Sequence, residues 1–325
     1  MGAPLPDGGQ EVQMADAQTA IFSGTETLVP QRERLHGGSS LKQAAEAFRR
    51  YMEEKGFSPH TVKAFNGDLR LVQRFLGADT PVSELGTDEL NRFLYWLQYE
   101  RDVPCSSKSY ARRVTTLKSF FGWLTSIHVT PFDPAAKLIH QKITTPLPVI
   151  LTDAEVDRLL AVTEARLHGP KPDPRPHLLV NLLLQTGIKK AECMRLTPDD
   201  FEASDPEQPT VLIRYQDPRL IHKERRLPVS PEVISTLEQY LAAYRPKERI
   251  FECTPRNLEY VLTDAANEAQ LPNGASFEML RWTSAFRDYR DGMPHHKLQE
   301  KLGLSKVTFR ETVKKLEKIA KGEKE

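Results

Sequence analysis

The residues of this chain that could do chemistry are mostly basic, and their spacing points to a polyanion. Lys108, Arg112, Arg113 and Lys118 fall in a stretch, residues 103–132, that holds no acidic side chain. Lys189 and Lys190 are adjacent, Arg219 and Lys223 lie just ahead of Arg225, and Arg281, Lys306 and Arg310 belong to a C-terminal region that is basic on balance. Acid gathers elsewhere, at Asp199, Asp200, Glu202, Asp205 and Glu207. A guanidinium grips two phosphate oxygens with a planar fork, whereas an ammonium offers a compact charge. Segregation of this kind suits a one-sided electrostatic footprint for nucleic acid. The plain alternative is that each charge only solvates a helix face, and a net charge of +1 argues against a protein that coats nucleic acid.

Other chemistries are thinly supplied. Cys105, Cys193 and Cys253 are far apart and lack metal-ligand spacing, so free thiols in a reducing cytoplasm are expected, with no metal and no cofactor. A length of 325 residues accommodates two domains with a core each. No apolar run approaches the ~20 residues that span a bilayer, so no membrane partner is expected. Residues 1–38 are acidic, Gly-rich and polar without the order of a signal peptide, and read as a disordered tail. The location expected is cytoplasmic and nucleoid-associated.

Four helical segments must position the first basic group. Ser40 with Gln43 has capping-box spacing, and Leu41, Ala44, Ala45, Phe48 and Met52 follow at helical intervals. Ser58-Pro59 opens a second helix with Val62, Phe65, Leu69 and Val72 on one face. A third starts near Thr87, and a fourth near Ser106 carries Tyr110, Val114, Leu117, Phe120, Phe121 and Leu124. Pro131-Phe132-Asp133-Pro134 ends this bundle, and residues 133–150 read as a linker. Thr152-Asp153-Ala154-Glu155 then caps the first helix of a second domain, and a strongly apolar helix over 177–185 ends at Thr186-Gly187. Strands are predicted over 210–215 and 224–229 with a turn at Asp217-Pro218. Helices are predicted over 231–244, 256–269, 277–291, 295–302 and 305–320.

Taken in order, several stretches resemble the phage integrase or tyrosine recombinase family, including its Xer-like members. They are Ser58-Pro59-His60-Thr61 with Asp68-Leu69, the helix over 106–123, and Leu147-Pro148 with Leu151-Thr152. Thr186-Gly187-Ile188-Lys189-Lys190-Ala191-Glu192, Lys223-Glu224-Arg225-Arg226-Leu227-Pro228-Val229, Leu280-Arg281-Trp282 and Leu302-Gly303 complete the set. The resemblance covers residues 39–316. It implies a mainly α chain: a four-helix, SAM-like core-binding domain at 39–132, then a mixed α+β catalytic-type domain with a small antiparallel sheet at 151–316. Residues 317–325 form a charged tail.

The resemblance also implies a reaction. Members of the family attack the scissile phosphate with a C-terminal tyrosine, supported by two arginines, a lysine and two histidine-like residues. Carried over position by position, the first arginine falls on Lys189, which keeps the charge and loses the fork. The hairpin lysine falls on Leu220, with Arg219 and Lys223 nearby. The first histidine falls on Glu278, an acceptor that opposes a phosphate. The second arginine matches Arg281, the later histidine or tryptophan falls on Leu304, and the nucleophile falls on Val313. No tyrosine lies beyond Tyr289. Loss of one member of such a set costs orders of magnitude in rate, and loss of the nucleophile removes the pathway.

The reading that follows is a degenerate recombinase homologue without catalytic activity, a regulatory or architectural protein that grips duplex DNA without cutting it. It could assemble with itself or with an active recombinase. Lys108, Arg112, Arg113, Lys118, Lys189, Arg219, Lys223, Arg281, Lys306 and Arg310 are the candidate DNA contacts. Competing explanations are open: Arg281 could pair with Glu278, Ser305 could simply cap a helix, and Tyr289 could be a partly buried aromatic. An active strand-exchange enzyme with an unusual nucleophile, or a protein-interaction scaffold, are the alternatives. Residues 298–310 additionally resemble a helix–turn–helix with Gly303 in the turn, although packing of Leu302, Val307 and Val313 would account for the apolar positions equally well.

Overall fold

The structure, a computed structural model, describes residues 35–103, 105–139 and 146–322. The expected tail up to residue 34, the middle of the expected linker and the last three residues lie outside the described residues. Two compact units divide the chain between residues 144 and 145.

The first unit is built from α1 (Leu41–Glu54), α2 (Pro59–Leu76), α3 (Thr87–Tyr95) and α4 (Ser107–Ser126). The capping chemistry read from the sequence is present. Ser40 Oγ accepts from the Gln43 amide at 3.1 Å while Gln43 Oε1 accepts from the Ser40 amide at 3.0 Å. Ser58 and Ser106 cap α2 and α4 through the Thr61 and Ser109 amides. A single π turn, Trp96–Glu100, extends α3. The apolar faces converge on Phe48, Phe93, Phe120 and Phe121, all essentially fully buried. Ala135 and Leu138 join this core, so its packing runs past Phe132 into residues that read as linker.

Two charged groups, Asp68 and Arg113, are buried in the bundle among the described residues. Asp68 on α2 is 2% exposed. It accepts two bonds from Arg112, Nη2 to Oδ1 at 2.7 Å and Nε to Oδ2 at 2.9 Å, and one from Thr116 Oγ1 at 3.0 Å. Arg113 lies 3.5 Å from the same carboxylate, and its Nη1 donates to Cys105 Sγ at 2.6 Å. A carboxylate taken out of water is tolerated where partners of this kind replace its hydration.

The second unit carries α5 (Asp153–His168), α6 (Arg175–Thr186), α7 (Lys190–Cys193), β1 (Phe201–Glu202), β2 (Thr210–Ile213), β3 (Arg225–Pro228) and α8 (Pro231–Tyr244). It continues through α9 (Pro255–Glu268), α10 (Phe277–Arg290), α11 (His295–Lys301) and α12 (Lys306–Ala320). The apolar α6 is the central helix, with Leu178, Leu179, Val180, Leu182 and Leu183 all buried. The strands form an antiparallel sheet in the order β1-β2-β3, with Val211 opposite Leu227 and Ile213 opposite Arg225. Alternation therefore turns Arg225 and Leu227 inward and Arg226 outward. Both longer strands are shorter than their sequence runs, and the connection between them is a 3-10 helix, Pro218–Lys223, rather than a simple turn. The two-residue β1 and the four-residue α7 carry too little pattern to be read from sequence. A smaller core joins α10, α11 and α12 through Ala285, Leu298, Leu302, Phe309 and Leu316.

Removing the Asp68 carboxylate should leave Arg113 buried without its counter-charge. Asp68→Ala is expected to cost about 3–5 kcal/mol in urea unfolding. Arg112→Ala takes two hydrogen bonds from the buried carboxylate but leaves Thr116 and Arg113 beside it, and should cost less, about 1–3 kcal/mol.

Candidate functional site

The turn that ends α6 begins the site. Gly187 caps the helix in the left-handed region at φ +59°, and Lys189 then acts as the N-cap of α7. The Lys189 amide donates to Glu192 Oε2 at 2.8 Å. That folds the short helix back so that Glu192, 3% exposed, points inward. There it meets Arg225 from β3, whose Nη2 donates to Oε2 at 2.9 Å and Nη1 to Oε1 at 3.3 Å. The Tyr215 hydroxyl donates to the same carboxylate. Burial pushes the Glu192 carboxyl up, but the Arg225 bonds and charge, the Lys189 amide and the Tyr215 hydroxyl outweigh it and hold it at about 2. Arg225 completes its bonding with the Lys301 carbonyl at 2.7 Å and the Lys223 carbonyl at 3.2 Å. One buried ion pair thus joins the α6–α7 turn, β3 and the end of α11.

Arg281 makes a parallel tie. Its Nη1 donates to the Gly187 carbonyl and its Nη2 to the Leu302 carbonyl at 2.7 Å. The pairing with Glu278 considered from sequence is not what the structure holds: the guanidinium turns to backbone oxygens, and Glu278 is exposed to solvent. Burial lowers the Arg281 pKa to about 10, with Glu192 opposing that shift and Arg225 adding to it. Lys189 is also pushed down, first by burial and further by Arg281, Arg225 and Lys223, while Glu192 pulls it up. Three cations, Lys189, Arg225 and Arg281, therefore share one carboxylate, and Lys189 also feels the repulsion of Lys223. Lys190 is outside this group and pairs with Glu259 at 2.5 Å.

An open cleft of about 710 Å³ lies over this arrangement, and Lys189, Glu278, Arg281 and Leu304 all line it. Four of the six positions assigned by resemblance are thus brought together. Leu220 lies on the 3-10 helix and does not line the cleft, and Arg219 on that helix is paired with Asp217. Lys223 is half-buried and lines a second cleft with Gly303, Leu304 and Lys306. Val313 packs among the side chains of the α10–α12 core, while its neighbour Thr312 reaches the main cleft.

The hydroxyls near this region are engaged as helix chemistry. Ser305 Oγ accepts from the Thr308 amide at 3.3 Å, and Thr312 Oγ1 donates to the Thr308 carbonyl at 3.0 Å. Tyr289 is half-buried and stacks on His295 at 6.0 Å between ring centroids. In the first unit the structure revises the Arg112-Arg113 pair: Arg113 is buried at 9% and Arg112 is held bidentate by Asp68, so the fold accounts for both. Lys118 reaches the Ala136 carbonyl at 3.4 Å, and Lys108 is exposed. Sequence reasoning missed Glu192, Arg225 and Tyr215 as a unit. The only sequence signal was a glutamate three residues after the Lys189 N-cap.

Comparison with known proteins agrees with this geometry. Residues 45–128 match the phage integrase, N-terminal SAM-like domain. A tyrosine recombinase XerC from Mycobacterium sp. (strain JLS) is 29% identical over 217 residues, 66% of this chain and 70% of that protein. The XerC of Oceanobacillus iheyensis is 27% identical over 283 residues, 82% of this chain and 88% of its own length. Among solved structures, a lambda integrase tetramer bound to a Holliday junction superposes with a TM-score of 0.67 at 16% identity, covering 85% of this chain and 77% of that one. XerH bound to its difH substrate gives 0.61 at 18% identity, covering 88% and 99%.

The Glu192 pair has a measurable pH signature. Its carboxyl lies at about 2 in the fold against an ordinary 4.5, so its stabilisation is present above pH 4.5 and is lost as pH falls toward 2. The contribution is on the order of 3 kcal/mol. Urea unfolding of Glu192→Gln should show the loss at neutral pH and a flatter decline between pH 4.5 and 2 than the parent protein.

Proposed function

The chain belongs to the tyrosine recombinase family, and from that premise we propose that it holds duplex DNA by its phosphates and does not cut it. The observation that carries this reading is Val313. The residue that the resemblance assigns to the nucleophile is a half-buried aliphatic side chain packed against the α10–α12 core, which supports a non-cutting reading. The positions of the acid and of the later histidine are the leucines Leu220 and Leu304, which have no proton to give. Glu278 places a carboxylate in the cleft where a departing oxygen would gain charge.

Binding makes fewer demands than cleavage. Lys189, Arg225 and Arg281 gather around Glu192, and a phosphodiester oxygen nearby would oppose the burial and the neighbouring positive charges that push Lys189 down. Lambda integrase is known as a dimer on a core site and as a tetramer on a Holliday junction. Those assemblies support duplex DNA as the partner and self-association on it. Residues 39–132 and 151–316 are the two DNA-facing domains in this proposal, and the role is regulatory or architectural.

A labelled duplex titrated across a salt series, with a denaturing gel run on the same samples, tests it. Binding should weaken steeply with salt, and Lys189→Ala should reduce the slope of log K against log salt by about 1. No protein–DNA band should survive denaturation, even on nicked substrate. A surviving covalent band would overturn the non-cutting reading, and no binding at low salt would remove DNA as the ligand.

A further inference from the structure

We propose that α11, the 302–305 turn and α12 form a helix–turn–helix whose second helix reads base edges in the major groove of duplex DNA. The inference rests on the DNA-binding reading above but concerns a different surface. The turn is tightly specified. Gly303 takes φ +57°, and a Cβ there would lie 2.9 Å from Arg225 Nη1, so the chain must reverse on a glycine. Ser305 then caps α12. Leu298 and Leu302 before the turn and Phe309 after it are buried, which fixes the two helices against α10.

What remains outside is the informative part. On α12 the buried face is Phe309, Thr312 and Leu316. The opposite face carries Lys306, Val307, Arg310 and Lys314, all exposed. Val307 is 73% exposed, so packing does not account for it, contrary to one reading of the sequence. Lys306 and Arg310 have no hydrogen-bond or ion-pair partner among the described residues, and Lys314 pairs only with Glu311 one turn away. A single exposed valine is too little apolar surface for the core of a protein interface. Flanked by cations at the start of a helix, it suits a groove lined by phosphates. In that setting a small apolar side chain meets a thymine methyl, and an arginine one turn on takes the two acceptors of a guanine edge.

Selection of bound duplexes from a randomised library, with the full chain and its Val307→Ala and Arg310→Ala variants, tests this directly. Both side chains are exposed, and thermal unfolding confirms that each variant is folded. The parent chain should enrich a short motif. Arg310→Ala should weaken binding to that motif by roughly 5- to 100-fold, relax the preference at the bases it contacts, and change binding to a scrambled duplex far less. Three results would overturn the proposal while leaving the DNA-binding reading intact: salt-sensitive binding with no enriched motif, a motif unchanged in both variants, or equal weakening on motif and scrambled DNA. Failure of the parent chain to bind any duplex would instead sink both.

Discussion

The second unit depends on one buried charge pair. Glu192 and Arg225 come from segments 33 residues apart in sequence, and each is almost wholly removed from water. Such a pair is tolerated only when every polar atom is satisfied. Here the demand is met by Tyr215, the Lys189 amide and two backbone carbonyls, those of Lys223 and Lys301. Satisfying that demand brings together the α6–α7 turn, the edge of the sheet and the end of α11. The cleft opens beside the first and last of these, with Lys189 and Leu302 in its lining.

Arg281 makes a second tie across the same frame. Its guanidinium bonds the carbonyls of Gly187 and Leu302, linking the same segments from the opposite side. Lost, it would leave two carbonyls with fewer partners in a largely buried place. Leu220, Glu278, Leu304 and Val313 carry no comparable bond to the frame. The guanidinium's role in the fold is thus independent of any role it has toward a phosphate.

Much of the fold was legible because it rests on local rules. Ser40, Ser58, Ser106, Thr152 and Ser305 each cap the helix their sequence spacing announced, and the apolar faces of α1 to α4 are the ones the periodicity implies. What stayed hidden depends on distant partners. Nothing within a few residues of Arg113 says that it turns inward to Cys105 and toward Asp68, 45 positions earlier. An acid-free stretch looks like a surface until the acid from another helix is seen beneath it. The same holds for Arg225, which reads as one more cation in a basic run. Only the alternation of β3 together with Glu192 makes it an interior residue.

The position of Val313 carries a mechanical consequence. Its side chain is half-buried and packs against the small core that anchors the last helix. Its neighbour Thr312 lines the cleft. On this side the cleft is therefore only as firm as the packing of α12, a shelf held up by Phe309 and Leu316 beneath it.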